Sequence, residues 1–485
     1  MAEKKLDTAT IIKWVITIAI PLIVYLIPCT EVYTMPIKKF FVIVLFSILL
    51  MAFELLGFMA VALFIPFAFI VTKLAAPAQV FAPWTQPTVW LITGSLLLGV
   101  ILDESGLVKR LAYWGFAKAG GSMTAILWVI FALGFVLAYS APGNGALFII
   151  FGYSICKALD IKPMSNAAVL MFFVCYIAGN ALSIMLSYDG MFDAALSQLT
   201  AFAAGSEKFA PVVALQQFDF NVTYLDYVYH NAIMIPCAIL LIIAALIILK
   251  PEKEYTERFN RAYFEEEYRK LGPWNIIEIK GAIVVILMFI LLCTQKIHGM
   301  AVYLCIMVPC IFAMFPFMGF GGASLLRKVD YTTSFFVTGT MAVGTVGNMV
   351  GATAILTSIL MPLLSGANHM VTCGLAFVIG YVANLILTPM AGVAMLSGPI
   401  GQIVATIGDY PVPVMYSLIN GLNNALLPYE GALYVFMFSF GYMNTKQFIK
   451  IFTVRTLIVL VWVLIACVPY WNAIGLFNGL VPWPF

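Results

Sequence analysis

Long apolar segments separated by short polar ones run along the chain. A helix needs about 20 mostly apolar residues to cross the hydrocarbon core of a bilayer. Segments of this kind predict eleven membrane crossings, at residues 11–28, 40–56, 57–74, 89–103, 165–205, 222–249, 276–294, 300–317, 332–350, 412–440 and 449–471. Polar residues interrupt the crossings at 165–205 and 412–440, which indicates helices that are broken inside the membrane.

Two further apolar segments, at 122–158 and 354–408, each break in the middle at Gly, Asn or Pro. We interpret them as re-entrant helical hairpins, which enter and leave the membrane on the same side. The sequence therefore predicts an all-α polytopic membrane protein with eleven transmembrane helices and two opposed re-entrant hairpins.

The basic residues indicate the orientation, because cytoplasmic loops carry an excess of Lys and Arg. With the N-terminus inside, 20 of the 25 basic residues fall on the cytoplasmic side, Arg455 among them. The five that fall outside are Lys38, Lys39, Lys73, Lys208 and Lys296. This predicts a multi-pass protein of the cytoplasmic membrane with its C-terminus outside. The segment Met1–Lys5 is expected to lead into a retained first helix and not a cleaved signal peptide.

Composition narrows the classes of protein. Hydrophobic residues make up 63% of the chain and charged residues 10%, against about 45–50% and 25% in soluble proteins. These values exclude an ordinary soluble protein, a disordered chain and a nucleic-acid-binding protein, and make the lipid bilayer the main surroundings. The nine Cys lie singly, mostly in apolar segments, as expected for small buried side chains. No nucleotide-binding loop, zinc-protease motif or nucleophile–base set occurs, so we expect neither an enzyme nor a cofactor-binding protein.

An internal repeat is visible at an offset of 245 residues. The repeated positions are Thr93, Gly94, Gly99 and Gly106 in the first half and Thr338, Gly339, Gly344 and Gly351 in the second. A weaker match joins Asn180-Ala181-Leu182 to Asn424-Ala425-Leu426. Five predicted crossings separate the Thr-Gly segments, and an odd number places the two copies in opposite orientations. Such inverted repeats with interrupted helices are typical of secondary transporters.

The turns of the two predicted hairpins are candidate binding sites. They lie at Ser140–Gly145 and near Ala383–Leu385, with Thr388 just beyond the second. Free N–H groups at such turns favour an anion and free carbonyls favour a cation, while Asn offers a donor and an acceptor without a charge. A plain loop would explain either turn alone. Asn144 and Asn384 in corresponding positions of two repeats instead predict a shared substrate site.

Two carboxylates, Asp189 and Glu430, lie in the interrupted crossings. A lone carboxylate at bilayer depth costs at least about 2.5–3.5 kcal/mol on insertion scales, so it usually faces a cavity or a partner. Both are therefore candidates for proton coupling. The alternatives are a structural hydrogen-bonding role for Glu430 and a position near an aqueous helix end for Asp189.

These features resemble the divalent anion/sodium symporters, within the ion transporter superfamily. The resemblance covers most of the chain and rests on the crossings and hairpins, on the stretch Leu102–Leu107, and on a closing segment from Leu427-Pro428 to Gly441. The two Ser-Asn-Thr turns of the family correspond to Gly143-Asn144-Gly145 and Ala383-Asn384-Leu385, where Asn is kept and the flanking hydroxyls are lost. The Thr-Pro-Pro stretch of the family is lost as well, and Glu430 lies near the position of a small residue that helps to hold sodium.

The resemblance implies two groups of site residues. Residues expected to contact the substrate are Gly143, Asn144, Gly145, Ala383, Asn384, Thr388 and Gly431. Residues expected to hold a coupling sodium ion are Ser140, Asn144, Gly179, Asn180, Gly380, Asn384 and Glu430. A negative charge at Glu430 beside an anion must be protonated or neutralised by a bound cation.

The resemblance also implies how the chain is divided. Residues 1–120 and 276–353 would form a scaffold that dimerises, and residues 121–249 and 354–485 would form a moving transport unit. Residues 250–275 would form a cytoplasmic connector between the halves. The transport unit is expected to move as a rigid body, in an elevator motion.

The predicted function is secondary active transport of a small organic anion, such as a di- or tricarboxylate, coupled to sodium. The alternative is a proton-coupled or exchange carrier for a different small solute, with Glu430 and Asp189 as the coupling carboxylates; the lost hydroxyls favour it. A channel would need a continuous file of polar residues, which the sequence does not show, and a membrane enzyme would need a turnover that its motifs do not indicate.

Overall fold

The structure is a computed structural model that describes residues 8–31, 33–53, 55–120, 122–140, 145–158, 160–205, 211–252, 261–329, 331–364, 368–385 and 389–484. Three of the predicted site residues, Gly143, Asn144 and Thr388, lie outside these ranges.

Helices account for most of the first half. They are α1 (Thr8–Leu26), α2 (Met35–Ala52), α3 (Phe58–Val71), α4 (Pro77–Val80), α5 (Pro87–Ser105), α6 (Leu107–Lys118), α7 (Met123–Ser140), α8 (Gly145–Ala158), α9 (Asn166–Tyr176), α10 (Leu182–Leu186), α11 (Gly190–Ala204), α12 (Val213–Gln216), α13 (Tyr224–Asn231) and α14 (Met234–Leu249).

The second half continues in the same way. Its helices are α15 (Arg261–Lys270), α16 (Ile276–Cys293), α17 (Gln295–His298), α18 (Val302–Ala313), α19 (Gly322–Lys328), α20 (Thr332–Val350), α21 (Ala352–Leu364), α22 (His369–Asn384), α23 (Pro389–Thr406), α24 (Val412–Leu422), α25 (Ala432–Ser439), α26 (Thr445–Trp462) and α27 (Val468–Ala473).

All eleven apolar segments predicted as crossings are helical, and those at 165–205 and 412–440 are interrupted as predicted. By length and composition, three described helical stretches could each cross a membrane, namely Asn166–Ala204, Ile276–Cys293 and Thr445–Ala473. Two pairs of helices are each bent at a short break, α5 and α6 by 60° and α13 and α14 by 56°. The number of spans rises to five when each bent pair is counted as one span. The count of eleven crossings stays a prediction, as does the re-entrant course of the hairpins.

The segment 354–408 was predicted to be one hairpin of two helices, but three helices run through it. The helices α22 and α23 flank the predicted turn, and most of α21, which begins at Ala352, also lies in the segment. The Asn368 side chain caps the start of α22 by accepting a hydrogen bond from the Val371 N–H at 2.9 Å. This N-cap marks the beginning of α22 as a helix separate from α21.

The repeat seen in the sequence recurs in the helix boundaries. Adding 245 to the bounds of α5 (87 and 105) gives 332 and 350, the bounds of α20. Both helices end at a left-handed glycine, Gly106 with φ of 69° and Gly351 with φ of 84°, and a new helix follows at the next residue. Positive φ values of this kind favour Gly because it has no Cβ. The bounds of α5 and α20 agree with the internal repeat, while the opposite orientation of its copies stays a prediction.

Burial separates central helices from peripheral ones. In the stretch Asn166–Ala204, 94% of the most apolar 18-residue window is buried, against 28% in α16. All of α24 is buried as well. A helix that is apolar on every side is stable only when it is covered, by protein or by lipid. The central group around α9–α11, α23 and α24 is covered by protein, and the exposed Ile side chains of α1 and α16 are left for lipid.

Candidate functional site

Two chain breaks meet in the buried interior. In the first half, α9 passes through a π-helical turn at Ile177–Ala181 into α10. In the second half, α24 ends at Leu422 and a short 3₁₀ turn, Pro428–Glu430, precedes α25. The breaks touch because the Asn180 Nδ2 donates to the Tyr176 hydroxyl at 3.2 Å and to the Asn423 Oδ1 at 3.4 Å.

The Glu430 carboxylate lies at the second break and is 3% exposed. Its Oε1 accepts hydrogen bonds from the backbone N–H groups of Leu426 at 3.0 Å and Leu427 at 2.6 Å. Its Oε2 accepts one from the Asn384 Nδ2 at 2.9 Å. Three donors therefore converge on one carboxylate, an arrangement suited to its ionised form. Within the described ranges, Glu430 forms no ion pair with a basic side chain.

Two buried acceptor oxygens without donors belong to Asn384, which contacts this carboxylate, and to Asn424, which contacts Asn384. Asn384 uses its Nδ2 on both Glu430 and the Asn424 carbonyl, the latter at 3.1 Å, but its buried Oδ1 has no hydrogen-bond partner in the described part of the chain. The same holds for the buried Oδ1 of Asn424, whose Nδ2 donates to the Asn420 carbonyl at 2.6 Å. Buried polar atoms are nearly always paired, so unpaired oxygens beside a carboxylate suit a cation.

The other side of the second break is rich in donors. The Tyr434 hydroxyl contacts the Tyr176 hydroxyl at 2.8 Å and donates to the Asn423 carbonyl at 3.1 Å. The same carbonyl accepts from the Arg455 Nη1 at 2.8 Å, and the guanidinium lies 5.2 Å from the centre of the Tyr176 ring. Arg455 is the eleventh residue of α26 and is 1% exposed.

Sequence reasoning missed Arg455 and Asn423 and assigned Arg455 to the cytoplasmic side. The structure buries this side chain against the second break, and the side of the membrane on which it lies stays a prediction. The available signal was a single Arg inside the apolar stretch 451–463 and a pair of Asn shortly before Pro428. Lone ionisable residues in such stretches usually face the interior of a bundle.

The predicted glycines lie where helices approach closely. A Cβ atom added to Gly179 would be 2.9 Å from the Gly145 Cα, so the start of α8 contacts the π-helical turn. A Cβ atom at Gly380 would be 2.5 Å from the Leu418 carbonyl oxygen of α24. Gly431 links the turn Pro428–Glu430 to α25. These contacts place Gly145 and Gly380 against the two broken helices.

The remaining predicted residues have other positions. Asp189 caps α11, since its side chain accepts from the Phe192 N–H at 3.0 Å, and within the described ranges no hydrogen bond joins it to Asn384 or Glu430. Ala383 is half-buried beside Asn384. Ser140 ends α7, and its side chain is outside the described atoms.

An internal repeat, two broken helices, buried charged groups and apolar outer helices are together typical of membrane transporters. Residues 8–477 match the family described as "Sodium:sulfate symporter transmembrane region". The chain therefore belongs to this family, the divalent anion/sodium symporters, which confirms the resemblance seen in the sequence.

Solved structures with a similar fold include a membrane transporter. The chain is similar to the YdaH transporter of Alcanivorax borkumensis, with a TM-score of 0.54 and 14% sequence identity over 85% of this chain and 90% of that chain. At this identity, the likeness shows the fold alone. A comparison with curated proteins finds no match.

The family makes this chain a multi-pass membrane protein and a secondary transporter, with a small anion as its substrate class. The family and the similar structure are transporters and not enzymes, which confirms the sequence-based expectation for this chain.

Proposed function

We propose that this protein couples the inward movement of sodium to the transport of a small organic anion, a di- or tricarboxylate, across the cytoplasmic membrane. The name of the family supports sodium and a divalent anion. The observation that carries the proposal is the group formed by the Glu430 carboxylate and the unpartnered Oδ1 atoms of Asn384 and Asn424, in the described part of the chain.

Sodium satisfies this group in two ways. Broken helices in transporters supply carbonyl and side-chain oxygens to a coupling ion. The two unpaired amide oxygens would coordinate a cation. The cation would also neutralise the charge of Glu430, which has no basic partner among the described residues. A neutralised Glu430 would no longer repel an anion nearby.

The motion we propose is an elevator movement of residues 121–249 and 354–485 against a dimeric scaffold of residues 1–120 and 276–353. The buried character of α9–α11, α23 and α24 supports it, because a unit that moves as one body must keep its own core.

The test is uptake of radiolabelled succinate into liposomes that contain the purified protein, with and without an inward sodium gradient. We expect uptake above the equilibrium level only with sodium, and Glu430→Gln should abolish the sodium dependence. Asp219→Asn, which removes a carboxylate from a connecting segment, serves as the matched control. Sodium-dependent uptake that survives Glu430→Gln unchanged would rule out this ion site.

A second function, proton-coupled or exchange transport, is favoured by the isolation of Glu430 from basic side chains in the described ranges, because protonation would neutralise it equally well. In that case an inward proton gradient without sodium should drive uptake, and Glu430→Gln should leave only exchange. Uptake that depends on sodium at constant pH would exclude it.

A further inference from the structure

Two kinds of unpaired polar group belong to Asn423, Asn424 and the residues that contact them. The unpaired acceptors are the Oδ1 atoms of Asn384 and Asn424. The unpaired donors are the Nδ2 of Asn423 and the Nε of Arg455, both buried and without a partner in the described ranges. Unpaired acceptors suit a cation, whereas unpaired donors beside a positive charge suit an anion.

Arg455 is the more unusual of these groups. A guanidinium carries five N–H donors and is always charged, yet within the described ranges Arg455 donates one hydrogen bond, from Nη1 to the Asn423 carbonyl. No carboxylate pairs with it in the described parts of the chain. The Tyr176 ring face at 5.2 Å offers partial compensation. A buried charge normally requires a counter-charge and further hydrogen bonds.

The acceptors around Arg455 already receive hydrogen bonds from other groups. The Asn423 carbonyl receives both the Tyr434 hydroxyl and the Arg455 Nη1, and the Asn423 Oδ1 receives the Asn180 Nδ2. The donors therefore exceed the acceptors at this point. An oxyanion would supply the missing acceptors and the missing negative charge together.

We infer that Arg455 and the Nδ2 of Asn423 bind a carboxylate or sulfate group of the transported anion. This rests on the proposed function and adds the residues that recognise the substrate. The edge of the guanidinium that carries Nε matches the two oxygens of such a group in a side-on, bidentate contact. Tyr176 and Tyr434 position Arg455 and Asn423 through the shared carbonyl and the ring contact.

A purely structural role makes a different prediction. The Asn423 carbonyl lies at the C-terminal end of α24, where a cation is favourable, so Arg455 could act only as a helix cap. Removing its charge would then lower the unfolding temperature of the free protein without changing the affinity for anions.

The experiment measures the unfolding temperature of the full chain, purified in detergent, during titration with sulfate or succinate in sodium chloride and in choline chloride. Wild type should show a saturable rise with an anion in sodium. Arg455→Gln should weaken the apparent anion affinity by roughly tenfold or more, as expected for a charged hydrogen-bonding contact, and should keep the response to sodium alone. Lys450→Gln removes the same charge from an exposed position of the same helix and should match wild type.

A second variant covers a failure of Arg455→Gln to fold. Asn423→Asp places a carboxylate beside Arg455, so this variant should fold and should lose the anion response because its own side chain occupies the guanidinium. Wild-type anion affinity in either variant overturns the inference and leaves the proposed function intact. A wild-type protein that responds to no anion with either cation overturns both.

Discussion

Asn384 joins three parts of the site through one amide. Its Nδ2 contacts the Glu430 carboxylate and the Asn424 carbonyl, and its buried Oδ1 has no partner in the described ranges. The end of α22 is thereby tied to the second break by a group that also offers an oxygen to a ligand. Loss of this amide affects both the position of Glu430 and the proposed ion.

Asn384→Ala should therefore raise the sodium concentration for half-maximal uptake by about tenfold, since it removes a ligand and one hydrogen bond to a charged group, worth about 1.5–3 kcal/mol. Sodium titration of succinate uptake measures the effect. Asn368→Ala, at the opposite end of the same helix, removes an N-cap and should lower stability by about 1 kcal/mol without changing the sodium dependence. Equal sodium affinity in Asn384→Ala and wild type would contradict a role in ion binding.

The sequence was sufficient to find Asn180, Asn384 and Glu430, because each is a polar residue inside a broken apolar segment. It was insufficient for Arg455. An Arg near a predicted helix end can extend to the aqueous interface or turn inward, and that choice depends on packing against α9 and α24, which only the folded chain supplies.

At the scale of helices, Gly380 permits the close approach of α22 to α24. A Cβ atom there would lie 2.5 Å from the Leu418 carbonyl oxygen and 3.0 Å from the Leu422 nitrogen, both of which are backbone atoms of α24. Gly380→Ala should therefore destabilise the protein by about 1–3 kcal/mol through overpacking, measured by thermal unfolding in detergent. Gly322→Ala, where the nearest atom is 3.8 Å away, is the control and should cause no loss. Equal unfolding temperatures for the two variants would refute the tight contact.

A buried ion pair joins α6 to α16 and to the end of the charged connector. The Arg110 Nε donates to the Glu278 Oε1 at 2.7 Å, and the Arg110 terminal nitrogens donate to carbonyls of the segment 271–273. Glu278→Ala would leave the Arg110 charge buried without its counter-charge.

We expect Glu278→Ala to cost about 3–5 kcal/mol of unfolding free energy, measured by equilibrium unfolding in denaturing detergent. Glu265→Ala breaks an ion pair with Arg261 in which the Arg261 side chain is 63% exposed and the Glu265 side chain 41%. This variant should lose at most about 1 kcal/mol of unfolding free energy. A loss at Glu278 as small as that at Glu265 would show that the carbonyl contacts alone satisfy Arg110.

Helix positions were predictable because the length of an apolar segment limits where a helix can lie. The offset of the sequence repeat also agreed with the bounds of α5 and α20. The separate helix α21 was not recognised because residues 354–364 are as apolar as the hairpin that follows them. The N-cap at Asn368 was the local signal for the division.

For the whole molecule, the elevator proposal predicts that a cross-link between the scaffold and the transport unit will stop transport. An ideal Cβ at Gly115 on α6 lies 3.7 Å from the Val129 Cβ on α7, and one at Gly152 on α8 lies 3.4 Å from the Cys175 Cβ on α9. Both separations are close to those of disulfides, about 3.5–4.5 Å. The first pair links the two proposed units, and the second lies within the transport unit.

In a background with Cys29 and Cys293 replaced by Ser, oxidation of Gly115→Cys/Val129→Cys should abolish succinate uptake until a reductant is added. Oxidation of Gly152→Cys, which pairs with the native Cys175, should leave uptake unchanged. Transport that continues with the first cross-link fully formed would refute this division of the molecule.

Gly106 and Gly351 are equivalent joints in the two halves, each held at positive φ. An L-alanine at either position would strain its joint by about 1–2 kcal/mol. In antiparallel halves, strain at the two equivalent joints would favour opposite forms of the transporter. Gly106→Ala and Gly351→Ala would therefore shift the resting equilibrium between inward-facing and outward-facing forms in opposite directions. The double variant would then recover the balance of wild type, and a chemical label that reports which face is open would read this symmetry directly.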